Sequence, residues 1–179
     1  PIIDLKSKKP KYMMIGDSIS IGWSPVLFPM LPEFEPQHVP TNAGAASKGN
    51  LCTGAWLGEV AWDVILFNFG LHSLDRHRLP DGRSVLNTTE AETLTSYTTE
   101  MHSIATLLKQ KAKRVIFVVT TPVPVVTDSG PERHNADVIS FNAAANAVMA
   151  KLQIPTADVY SAVMDVCPAT SGAPDHTYS

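Results

Sequence analysis

Trp62-Asp63-Val64-Ile65-Leu66-Phe67-Asn68-Phe69 is the stretch on which the reading of the fold turns. It is a short, nearly unbroken apolar run, and such runs mark strands buried on both faces of a parallel sheet. It stops at Gly70-Leu71-His72-Ser73, a junction with polar residues at its tip. Two further runs have the same character. Tyr12-Met13-Met14-Ile15 precedes Gly16-Asp17-Ser18, and Arg114-Val115-Ile116-Phe117-Val118-Val119-Thr120 stops at Pro122.

Between these runs lie helical patterns. Apolar residues from Ile19 to Leu31 are interrupted by Pro25 and Pro29, which predicts a short, irregular helix. A modest helix is expected from Asn50 to about Val60, with Leu51, Trp56 and Leu57 as its apolar members. A long one is expected from about Thr89 to Lys111, because Leu94, Tyr97, Met101, Ile104 and Leu108 step by three or four. Glu90 and Glu92 at its start and Lys109 and Lys111 at its end match the helix dipole. Another is expected from about Asp137 to Leu152, with Val138 or Ile139, Phe141, Ala145, Val148, Met149 and Leu152 inward. His38 to Asn42 reads as an edge strand because of Pro40, and Thr156 to Tyr160 as a last short strand. One helical turn over Ser161 to Val166 would follow, and residues 74–88 and 121–136 read as loops.

The alternation β–α–β–α–β–α–β–α–β implies an α/β fold. The expectation is a doubly wound three-layer sandwich, with a flavodoxin-like five-stranded parallel sheet ordered 2-1-3-4-5. Residues 1–179 show no internal repeat or linker and read as a single domain. Ligands of such sheets sit outside the carboxyl ends of the strands, where the strand order reverses. Here that crevice falls between strands 1 and 3, with Ser18 after one, His72 after the other, and the small-residue loop Asn42 to Ser47 alongside. A serine on a glycine-relaxed turn past a strand end suits a nucleophile. The plainer alternative is that Asp17 and Ser18 only cap the next helix.

Composition removes several classes of function. With 44% hydrophobic residues the 179-residue chain can bury a substantial core. A net charge of −3 offers no basic footprint for nucleic acid. No run approaches the roughly 18 apolar residues that span a bilayer, and the chain, which begins at Pro1, shows no signal peptide, so a soluble protein is expected. Cys52 and Cys167 fit no zinc pattern and read as small buried residues, with one bridge between them left open. No metal or cofactor is called for: G-x-G-x-x-G and the P-loop are both absent. Flavin binding on the same scaffold stays open.

Taken in order, these junctions resemble those of the SGNH (GDSL-type) hydrolases, from Met13 to about Tyr160. Gly16-Asp17-Ser18 is similar to that family's first block, Asn42-Ala43-Gly44 through Ser47-Lys48-Gly49 to its second, and Gly70-Leu71-His72 stands where a third, Gly-x-Asn, is expected. The branch with Asn-Phe-Gly-Leu-His at this place is the most similar, and Thr120-Thr121-Pro122 and Phe141-Asn142 match it too. The resemblance implies hydrolysis of a small or carbohydrate-linked ester through an acyl-serine, without cofactor. Ser18 would attack. Ser18 and the 44–47 loop would offer N–H groups to the oxyanion, through Gly44 or Ser47, and His72 would replace the usual asparagine as third donor. The family's Asp-x-x-His supplies its base. Here His176 is the only late histidine, and Ala173 stands three residues before it. Two readings remain open: a Ser18–His176 pair with an altered acid, or a chain incomplete at its C-terminus, which the non-Met start favours. Asp17, Ser47, Asn68 and His134 are expected around the substrate, His134 at the rim and Asp17 as a loop-organising acceptor. His38, His77 and His102 read as surface residues. The rival is a non-catalytic domain on the same scaffold that binds a carbohydrate or phosphate-bearing ligand.

Overall fold

The structure, a computed structural model, describes residues 8–86, 93–123 and 132–167. In chain order it runs β1 (Lys11–Ile15), α1 (Ser18–Leu27), β2 (Glu35–His38), α2 (Ala46–Leu57), β3 (Trp62–Phe67), β4 (Arg76–Arg78), β5 (Ser84–Leu86), α3 (Leu94–Lys111), β6 (Ala112–Val118), α4 (Asn135–Lys151), β7 (Thr156–Ala157) and α5 (Val159–Val166). Short 3₁₀ turns cover Phe28–Met30 and Leu71–Leu74. Five strands form one parallel sheet in the order β2-β1-β3-β6-β7. Counting only the strands of that sheet, this is 2-1-3-4-5, with helices on both faces, as expected.

The two faces are covered unequally. Register places Met13, Ile65 and Val115 on one face together with Ile15, Phe67 and Phe117. These six are all buried and share one core with Leu57, Tyr97, Met101, Ile104, Leu108, Phe141 and Val148 from α2, α3 and α4. On the other face Met14 and Tyr12 are buried. Tyr12 packs against Phe28 and Phe34, both at 6.1 Å between ring centroids, and burial pushes its phenol up to about 12. Val64, Leu66, Ile116 and Val118 on that face stay half-buried. In β3, Ile65 and Phe67 are buried on one face, whereas on the other Trp62 is buried but Val64 and Leu66 are half-buried. The burial on both faces that its apolar run implied is therefore met in part.

Several element boundaries differ from expectation for identifiable reasons. The edge strand is Glu35–His38, not His38 to Asn42. An edge position tolerates Pro36 because one of its sides has no ladder to break. Helix α2 starts at Ala46, and Leu51 is 84% exposed. It docks through Ala46, Gly49, Thr53 and Leu57, mostly small residues, so hydrophobicity did not mark its inner face. In α3, Tyr97, Met101, Ile104 and Leu108 are buried but Leu94 lies at the exposed start, where Thr93 Oγ1 accepts the Ser96 N–H. Glu90 and Glu92 lie outside the described residues. In α4 it is Val138 that turns inward, while Ile139 is exposed.

The stretch 74–88, expected as a loop, carries the antiparallel hairpin β4–β5. Its turn contains Asp81-Gly82, a dipeptide that favours tight hairpins, with Gly82 at φ +84°. Arg76 ties the hairpin to α4 through bonds of 2.6 and 2.9 Å to the Asp137 carboxylate. Both cysteines are free; Cys52 is half-buried and Cys167 exposed, so the second is not the buried residue expected. Among the described residues no helix is long and apolar enough to cross a membrane.

Candidate active site

Two backbone bonds gather three strand ends into one crevice. Ala43 N–H donates to the carbonyl of Gly16 at 3.0 Å, and Asn68 N–H donates to that of Ile15 at 3.0 Å. The 42–48 loop and the segment after β3 are thereby held on either side of the β1–α1 turn.

Asp17 is the N-cap of α1. Its carboxylate accepts the Ile19 N–H at 2.9 Å, and it is 5% exposed, so it organises the loop as expected. Ser18 is the first residue of the helix and is exposed. A hydroxyl there lies at the positive end of a helix, where negative charge is favoured.

Gly44, Ser47 and His72 line one cavity of about 380 Å³, together with Asn42, Lys48 and Asp75, and Ser18 lines neither this cavity nor the second one described below. Gly44 adopts φ +70°, a conformation glycine reaches without strain. Its own N–H is engaged by Asn42 Oδ1 at 2.8 Å. Ser47 is half-buried in the first turn of α2. His72 is half-buried on the 71–74 turn. That turn is fastened from several directions. Tyr97 donates its phenol hydrogen to the Phe69 carbonyl at 2.7 Å. Ser73 N–H donates to Gly70, and Ala46 N–H reaches Ser73 Oγ at 3.4 Å.

Arg133 completes the fastening. Its Nε donates to the Leu71 carbonyl at 2.7 Å and its Nη2 lies 2.6 Å from Asp75 Oδ1. Nothing in the sequence pairs Arg133 with residues about 60 positions earlier; only the tertiary fold does. Its neighbour His134, expected at the substrate rim, lines neither described cavity. It pairs instead with Glu132 at 2.8 Å, at the start of α4.

Asn68 faces β6. Its amide donates to the Val118 carbonyl at 2.7 Å and to Thr120 Oγ1 at 3.1 Å. Thr120 is clamped in turn by Asn142, which accepts its N–H at 3.0 Å and donates to its carbonyl at 2.9 Å. Asn68, Asp17 and Thr120 edge a second cavity of about 350 Å³, walled by Met14, Leu66 and Val118 of the half-open sheet face. His38, expected at the surface, is half-buried with both ring nitrogens in hydrogen bonds. His176 lies outside the described residues. Among those described, no group of three or more His, Cys, Asp or Glu side chains is placed to hold a metal ion.

This arrangement of a parallel sheet with its crevice over β1 and β3 is the fold of GDSL-like hydrolases. A lipase/acylhydrolase from Enterococcus faecalis superposes with a TM-score of 0.61 at 21% identity, over 89% of this chain and 80% of that one. A GDSL-like lipase from Bacteroides thetaiotaomicron gives 0.63 at 17% identity, over 86% and 70%. An acetylxylan esterase from Geobacillus stearothermophilus gives 0.64 at 14% identity, over 88% and 79%. No protein-family model matches the sequence, and none of the curated proteins does. Likeness at these identities establishes the fold.

Proposed function

We propose that the protein is a serine ester hydrolase whose nucleophile is Ser18. The observation that supports the reading is that the Ala43–Gly16 and Asn68–Ile15 bonds hold the β1–α1 turn, which carries Ser18, beside the segments whose Gly44, Ser47 and His72 line one cavity. The acylhydrolase, lipase and acetylxylan esterase activities named for the structures of this fold support ester hydrolysis as the class, and a small or carbohydrate-linked ester as substrate.

In this reading the Ser18 oxygen bonds to the ester carbonyl carbon while its proton passes to a histidine base, His176 being the candidate in this sequence. The carbonyl oxygen takes up the negative charge. Donors preset around it stabilise that charge without reorganising during the reaction. They are the N–H of Ser18, an N–H of the 44–47 loop and a ring N–H of His72. Collapse expels the alcohol, which takes the proton, and water then releases the acid from the acyl-serine by the same steps. Asn68 contributes by position, through the β3–β6 junction, more than by contact with substrate.

The test is reaction with a fluorophosphonate probe, located by peptide mass spectrometry. Labelling at Ser18 that disappears in Ser18→Ala supports the enzyme. A folded protein that binds carbohydrate or phosphate ligands yet takes no label favours the non-catalytic alternative and overturns the proposal.

A further inference from the structure

His38 closes β2, and both its ring nitrogens are engaged. Nδ1 lies 2.8 Å from the Val39 carbonyl and Nε2 lies 2.7 Å from Ser20 Oγ. A carbonyl can only accept, so Nδ1 carries a hydrogen there and the ring orientation is fixed. Ser20 is 6% exposed in the first turn of α1. Its one hydroxyl hydrogen can go to Nε2 or to the carbonyl of Asp17, 2.8 Å away, which also accepts the Ile21 N–H at 3.0 Å. Gly16 makes room for this hydroxyl, because a Cβ at that position would lie 2.5 Å from Ser20 Oγ.

These contacts surround Ser18 without touching it. The residue before it is anchored by carboxylate and carbonyl alike, to Ile19 and to Ser20 and Ile21. The residue two after it is braced against the edge strand. We propose that His38 and Ser20 are positioning residues: together they fix the β1–α1 turn, and so the direction in which Ser18 presents its oxygen. The inference rests on the reading of Ser18 as nucleophile. It matters because reacting atoms must meet in near-attack geometry, and a displacement of about 1 Å can cost on the order of 10²-fold in rate.

His38→Ala and Ser20→Ala should each slow fluorophosphonate labelling of Ser18, and kcat on 4-nitrophenyl acetate, by roughly ten- to a hundredfold while KM stays within about twofold. The double variant should be no slower than the slower single one, because the two residues act as one brace. His38→Gln keeps an amide that can accept from or donate to Ser20 Oγ and should recover part of the loss. It also serves if the alanine variant does not fold. Amide hydrogen exchange at Ile19 and Ile21 should quicken in both alanine variants, with exchange in β3 unchanged. Labelling per folded molecule that matches the wild type in every variant overturns the brace and leaves Ser18 as nucleophile. A wild-type protein that takes no label overturns the nucleophile and the brace with it.

Discussion

Replacing Tyr97 by Phe isolates one bond in the scaffold behind His72. The phenol is fully buried and donates to the Phe69 carbonyl at 2.7 Å, three residues before His72. The substitution keeps the ring and its packing on Phe141, 4.8 Å away between centroids. What changes is one hydrogen bond and one buried carbonyl. The bond itself is worth about 0.5–1.5 kcal/mol net, and a buried acceptor left without a donor costs about 1–3 kcal/mol. These figures overlap, so an overall loss of about 2 kcal/mol is expected. For a domain of this size that is a fall of about 4–8 °C in Tm. Urea unfolding followed by circular dichroism should show a lower midpoint at unchanged slope, since the surface exposed on unfolding is the same. A loss below about 0.5 kcal/mol would refute the reasoning, because it would mean that the carbonyl finds another donor at no cost.

If His72 supplies an oxyanion donor, His72→Ala should lower kcat by about 10²–10³ while the half-buried site leaves the unfolding midpoint nearly unmoved; an unchanged kcat removes that role. At the opposite end of the sheet, the Lys113 ammonium at 2.7 Å and the Lys11 N–H at 2.8 Å hold the Asp63 carboxyl below the ordinary carboxylate range. A depressed folded value contributes stability that is present above the unfolded value and lost as pH falls through the folded one. The wild type should therefore exceed Asp63→Asn in Tm near neutrality, and the gap should close as pH drops below about 4. A gap that does not narrow as pH falls below about 4 would contradict this assignment.

Most of the fold was legible because its signals are local. Three apolar runs became β1, β3 and β6, and the stripe through Tyr97, Met101, Ile104 and Leu108 became the inner face of α3. Where packing is done by small residues, as along Ala46, Gly49 and Thr53 of α2, hydrophobicity carried no mark and the helix start was misplaced. The Asp81-Gly82 turn was readable in principle, but the strands it joins are only three residues long. In the candidate site, the strand-end positions of Ser18, Gly44, Ser47 and His72 followed from topology. The residues that fasten those positions did not. Arg133 reaches Leu71 and Asp75, His38 reaches Ser20, and Tyr97 reaches Phe69, across separations that no periodicity encodes.

The unequal covering of the sheet can be measured on two adjacent residues of one strand. Ile65 is fully buried against the helices, whereas Leu66 points to the opposite face, is half-buried and lines the 350 Å³ cavity. Truncating a fully packed aliphatic side chain to Ala costs about 2–5 kcal/mol, because the loss of transfer energy is joined by a cavity. At Leu66 part of the side chain keeps its access to solvent, and its neighbours already border empty space. The transfer loss shrinks and little new cavity forms, leaving about 1–1.5 kcal/mol. Ile65→Ala should therefore lower the urea midpoint further than Leu66→Ala. Equal shifts would contradict the half-open face, because Leu66 could lose as much as Ile65 only if it were packed as fully in solution.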